Sequence, residues 1–151
     1  MSKRKIKIGA IDLTKTVNAL FVSYGQDVNE VLYDSMQNVA DEAVKELKSV
    51  NKFASDGHPT GEYSKSWDKV EQQTSRLAKS VIVYNEEHYR LTHLLENGHA
   101  LKRGGRTIGS VKAYPHIYPV EQKVVKDFEK EVIERITDLN TLWHIKKLTI
   151  W

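Results

Sequence analysis

The sequence predicts a two-layer α+β fold: long N-terminal and C-terminal helices packed on a small antiparallel sheet, with a short helix and a basic, glycine-rich loop between them. Three observations predict it. Apolar residues recur at helical spacing in two long stretches, with Val28, Val31, Leu32, Met36, Val39, Ala43 and Leu47 in the first and Val124, Val125, Phe128, Val132, Ile133 and Ile136 in the last. The middle of the chain is rich in β-branched and aromatic residues instead, with Val81, Ile82 and Val83 consecutive. A length of 151 residues suits one domain with a real core.

Taken in order, residues 1–10 alternate lysine and isoleucine, the pattern of a short strand or an ordered arm, so residues 1–11 are set apart. Asp12 is a suitable N-cap for a helix over residues 13–49. Gly25 weakens that helix by up to about 1 kcal/mol relative to alanine and marks either a bend or a tolerated glycine. Residues 51–61 read as a loop, punctuated by Pro59 and Gly61. Residues 62–70 read as a first strand, on which Tyr63 and Trp67, four apart, share a face. A turn over residues 71–75 leads to a second strand, 77–84, paired antiparallel with the first. Tyr89, Leu91, Leu94 and Leu95 give a short helix over 86–96, which Gly98 stops. The basic loop follows, then a strand over 106–114 ended by Pro115. Residues 116–119 are expected to be extended, because the residue before a proline avoids helix. The last helix is expected from Val120 or Glu121 to about Leu139. Residues 141–151 alternate as a strand would and form an apolar tail, reserved for a partner, beyond a domain of residues 12–140.

Composition is that of an ordinary globular protein, with 40% hydrophobic and 28% charged residues. No apolar run approaches the length that spans a bilayer, and the basic N-terminal stretch is too short for a signal peptide. The expectation is a protein without membrane contact that acts where it is made, in the cytoplasm. The absence of cysteine excludes disulfides, thiolate metal sites and cysteine nucleophiles. The net charge of +3 is modest, but its distribution is uneven. Lys102, Arg103, Arg106 and Lys112 cluster in a run, 101–115, that holds no acid. Asp27, Glu30, Asp34, Asp41, Glu42 and Glu46 make the first helix acidic. That arrangement suits head-to-tail contact between copies, a basic loop facing nucleic acid, or two merely solvated faces.

Catalytic and metal chemistry find little support. His93 and Glu96 share a helix face, and with His99 they could offer nitrogen and oxygen ligands to zinc. Against this, His88 and His93 are five apart, which turns them about 140° from each other on a helix, and Gly98 breaks the helix before His99. Ser64 and Ser66 lack the glycine elbow of a hydrolase nucleophile. Neither a dinucleotide fingerprint nor a Walker loop occurs. Gly104-Gly105 is as readily a tight turn as a phosphate cradle. The loop has no interleaved aromatics for stacking single strands, and no recognition helix is visible. These readings imply no cofactor, no metal and no catalytic residue.

Two separated stretches point further. HYRLTHLLENGHALKRGGR followed by PHIYPVE, together with Gly61-Glu-Tyr63-Ser-Lys-Ser-Trp67 upstream, resembles the HK97 gp10-like family of tailed-phage neck and tail-completion proteins. The resemblance covers roughly residues 12–138. It implies a structural virion protein of a phage or prophage, made in the host bacterial cytoplasm, that joins head and tail. It would act as a homo-oligomeric ring, six-fold or twelve-fold, in contact with neighbouring neck and tail proteins. The charge of the basic loop, read by itself, suits non-specific contact with DNA phosphates in the lumen of such a ring. The resemblance also implies structural roles for Gly61, Tyr63, Trp67, Tyr89, Glu96, Gly98, Gly104, Gly105, Pro115, His116 and Pro119. Lys102, Arg103, Arg106, Lys112, Trp143 and Trp151 are the expected interface residues. In the mechanism expected, complementary basic and acidic faces set the register between copies, and buried aromatics supply the contact energy. The alternative is a small basic nucleic-acid-binding or toxin-like factor; a metal-dependent hydrolase is the weakest reading.

Overall fold

The computed structural model describes residues 10–50, 61–73, 75 and 78–149. The fold is α+β, as the sequence predicts, but its layers differ from those expected. Helices α1 (Ala10–Ser49) and α4 (Ile117–Thr149) pack chiefly on each other. Two separate two-stranded antiparallel sheets take the place of one, β1 (Trp67–Gln73) with β2 (Lys79–Asn85) and β3 (His99–Arg103) with β4 (Arg106–Val111). A short helix, α2 (Glu62–Lys65), leads into the first sheet, and another, α3 (Tyr89–Asn97), joins the two.

The helix pair is antiparallel. The N-terminal half of α1 meets the C-terminal part of α4, with Tyr24 Oη to Asn140 at 2.6 Å and Trp143 Nε1 to Asp27 at 2.9 Å, and the later contacts step forward along α1 and back along α4: Arg135 to Asp34 at 3.1 Å, Asn38 to Glu131 at 2.7 Å, and Lys123 to Glu46 at 2.8 Å. The seam thus carries a polar ladder beside a stripe of half-buried apolar side chains on α4, among them Val124, Phe128, Val132, Ile136 and Leu139. The first sheet lies against α1. Lys69 reaches Gln37 Oε1 at 2.7 Å and Asp41 at 2.7 Å, while Tyr33 and Gln37 both bond Glu71. The core sits where α1, α2 and β1 meet: Leu47, Tyr63 and Trp67 are buried, with Val83, Leu95, Ile117 and Val120 packed around them.

Several boundaries are corrected. Residues 62–65 are a helical turn rather than the start of a strand, so Tyr63 and Trp67 do not share a strand face; both are buried nonetheless, from opposite sides of the α2–β1 junction. β1 runs through residues expected to be a turn. The basic loop is a β-hairpin, because residues 99–103 pair with 106–111. α4 begins at Ile117, three residues before the expected start, so Pro119 lies inside its first turn rather than in an extended segment. α4 also continues through Thr149, so the C-terminal residues up to there are helical rather than strand-like and do not form a separate tail. At the other end α1 begins at Ala10, ahead of Asp12, and runs through Gly25 unbroken. The N-terminal Lys-Ile arm and Trp151 lie outside the described residues.

Candidate functional site

Three regions concentrate the predicted residues: a buried polar hub, a basic hairpin and the outer faces of the helix pair.

The hub brings together the two stretches that carry the family resemblance. A helix begins with four backbone N–H groups that have no partner within it. At the start of α4 a side chain from another element takes three of them. Glu96, on α3, accepts from the backbone N–H of His116 at 2.8 Å, Ile117 at 2.9 Å and Tyr118 at 2.9 Å. The fourth position is Pro119, which has no N–H to satisfy. The His116 ring is 1% exposed. Its Nδ1 lies 2.9 Å from the Tyr114 carbonyl and 3.1 Å from Glu96 Oε2, and its Nε2 lies 2.8 Å from Tyr63 Oη. A ring that donates from Nδ1 to those oxygens accepts from the tyrosine hydroxyl at Nε2. Tyr63 and Trp67 stack edge-on at 6.0 Å, and His116 packs edge-on against both.

Electrostatics follow from this geometry. Partial burial pushes the Glu96 carboxyl up, but the three backbone donors and the His116 ring pull it down further, leaving it below the ordinary carboxylate value. Burial, and then the Glu96 charge, push the Tyr63 hydroxyl well above its ordinary value. A carboxylate–imidazole–hydroxyl chain is the arrangement that activates a nucleophile. Here it ends on a buried phenol that holds its proton, beside a ring closed to solvent. The arrangement locks α2, α3 and α4 together and offers a substrate no access.

Asn85 is a hub residue that the sequence reading missed. Buried at the end of β2, it donates to the Tyr63 carbonyl at 2.9 Å and accepts from Ser66 Oγ at 2.8 Å and the His88 N–H at 2.8 Å. An asparagine between a β-branched run and a turn is the available signal.

Glycines set the hairpin. Gly98 has φ 70° and ψ 171°, and a Cβ there would meet the Val111 carbonyl oxygen at 2.5 Å and the Ala113 nitrogen at 2.7 Å. At the tip, Gly104 and Gly105 both have positive φ, 55° and 77°, as a two-residue hairpin turn of the primed type requires. A bulge between Leu101 and Lys102 leaves Ile108 as the extra residue. Lys102, Arg103, Arg106 and Lys112 are all exposed, and β3 and β4 pack mainly on each other.

Of the remaining predicted residues, Tyr89 opens α3 and is exposed, as are Pro115 and Pro119, while Gly61 caps α2 in the left-handed region. Trp143 is half-buried within the chain, edge-on to Tyr24 at 5.5 Å and bonded to Asp27. His93, Glu96 and His99 do not assemble into a metal site; among the described residues no three such groups come together. The acidic face of α1 is largely spoken for within the chain: Asp27, Asp34, Asp41 and Glu46 all have partners there. That removes most of the charge expected to pair with the basic segment of a second copy. Among the described residues, no helix is long and apolar enough to cross a membrane.

The outer faces of the helix pair are apolar. Phe21 (71% exposed), Val22, Ile133 (67%), Leu142 and Ile145 all face solvent. Val17, Leu20, Phe21 and Tyr24 line an open groove with Trp143.

A comparison of the chain with family models, with curated proteins and with solved structures finds no match.

Proposed function

We propose that this chain is a structural protein of a tailed-phage or prophage particle, of the neck or tail-completion type, which joins head to tail as a ring of identical copies. The observation that carries the reading is the hub. The Gly61–Trp67 stretch and the Glu96–Pro119 stretch resemble the same family, and they meet in one buried cluster. The resemblance therefore rests on residues that determine the fold rather than on a surface coincidence. The exposed apolar faces of the helix pair add support, because large exposed apolar patches mark association surfaces. The mechanism is assembly rather than catalysis. Apolar faces of α1 and α4 supply copy-to-copy contact, neighbouring neck and tail proteins are the other partners, and the virion is the final location.

The test is genetic and structural. Deleting the gene from its phage or prophage should yield filled heads and free tails that do not join. Electron microscopy of complete particles should place the chain at the junction. Complete infectious particles made without this chain would overturn the reading.

A further inference from the structure

The tip of the β3–β4 hairpin breaks a rule of sheet chemistry. The register sets Arg103 directly opposite Arg106, beside the Gly104-Gly105 turn. Like charges in that position destabilise an antiparallel pair. No acid lies between Glu96 and Glu121 to relieve them. Among the described residues, none of Lys102, Arg103, Arg106 and Lys112 forms an ion pair. A local conflict without local compensation is expected where a site meets a ligand, and the ligand that relieves two opposed guanidiniums is an anion. On α1, whose acidic face is the one expected to meet a basic segment of a second copy, four of the seven acids are already engaged within the chain.

We propose that this hairpin grips the phosphate backbone of duplex DNA without reading its sequence. A two-stranded ribbon fits the major groove, which is about 12 Å wide. The paired glycines leave the apex without side chains, so backbone and arginines can approach closely. Thr107 and Ser110 add hydroxyl donors to phosphate oxygens. Residues 100–111 hold no aromatic ring, so the arm and tip of the hairpin offer no stacking platform for unpaired bases and the duplex is the matching form. Exposed Leu101 and Ile108 on the same ribbon make an acidic protein segment the competing partner. This inference does not rest on the head–tail reading: the hairpin can bind DNA whether or not the chain joins particles.

Binding of the full chain to a short mixed-sequence duplex, followed by fluorescence anisotropy over a salt series, tests it. The logarithm of affinity should fall linearly with the logarithm of salt, by about 0.9 for each phosphate contact. Arg103→Gln with Arg106→Gln should reduce that slope by about two contacts' worth and weaken low-salt binding about ten-fold or more, while the melting temperature holds or rises. Lys126→Gln with Lys130→Gln, the same charge loss at exposed sites on α4, should leave binding nearly unchanged. If the glutamine pair unfolds the chain, Arg103→Lys with Arg106→Lys keeps the charge and must keep the slope. Three results would each overturn the proposal: no binding at low salt, equal weakening by both double variants, or preference for polyglutamate over the duplex.

Discussion

The carboxylate that caps α4 belongs to α3. Because Glu96 holds three N–H groups of a helix distant in sequence, its charge ties two elements together. Its folded-state pKa is lowered, so its contribution is fully present above the ordinary glutamate value of about 4.3 and is lost as pH falls through the lower folded value. Wild-type protein should therefore lose stability only as pH falls below about 4.3, and Glu96→Gln should be less stable at neutral pH with a flatter acid limb. Parallel acid profiles in thermal melts of the two proteins would show that Glu96 is not the group responsible. Trp67, buried against Tyr63 and His116, should cost about 3–5 kcal/mol when cut to alanine; an unchanged denaturation midpoint would contradict its place in the core. At this scale the sequence was informative about which residues matter. Tyr63, Trp67, Glu96, Gly98 and His116 could be singled out in advance. What they bond to could not, since a capping carboxylate supplied from another helix leaves no local pattern, unlike a capping box. Asn85 was missed because two of its three bonds go to Tyr63 and Ser66, which only the fold brings near.

Elements were legible where one periodicity governs a long stretch and obscure where glycine does. α1 and the body of α4 follow from their apolar spacing, whereas the C-terminal turns of α4 were misread because Trp143 and Ile145, and then Leu148 and Ile150, step by two in sequence, which hides the three-residue recurrence of Leu142, Ile145 and Leu148. The partner resolves the ambiguity, since α1 presents Asp27 and Tyr24 to Trp143 only if α4 continues. The second strand of the hairpin was expected over 106–114, but the first, 99–103, was read as loop because glycines punctuate both it and its approach. Two of the chain's glycines make opposite predictions. Gly98→Ala puts a Cβ against backbone atoms at a left-handed φ, so it should cost at least about 1–3 kcal/mol and loosen the hairpin base. Gly25→Ala adds a methyl to the interior of α1 where nothing lies within 4 Å, so it should stabilise by roughly 0.5–1 kcal/mol. Thermal melts of the two variants decide the matter, and shifts of the same sign would contradict the assigned backbone geometry at one of the two sites.

At the scale of the whole molecule, the imbalance between apolar content and burial is the feature that calls for a partner. Only six apolar residues are buried among those described, all of them on α1 or around the α2–β1 junction, while α4 buries none. A two-helix seam cannot enclose side chains on its outer faces, so Phe21, Val22, Ile133, Leu142 and Ile145 remain in water in the free chain. The sequence displayed Phe21 and Ile133 within two amphipathic helices, and Leu142 and Ile145 within an apolar tail, but it could not say which would lack cover, because that depends on how few elements pack over the pair. If the outer faces join copies, Phe21→Glu should abolish self-association in sedimentation experiments. Its cost to the folded single chain should stay within about 0.5 kcal/mol, as for other exposed positions. Association through apolar faces should also persist as salt rises, whereas capture of DNA by the hairpin should weaken, because only the latter releases counterions. The two surfaces are therefore separable. Phe21→Glu should leave DNA binding by the single chain intact, and the Arg103 and Arg106 substitutions should leave self-association intact. A Phe21→Glu protein that still assembles would move the copy-to-copy contact away from the α1 face and onto the residues of α4.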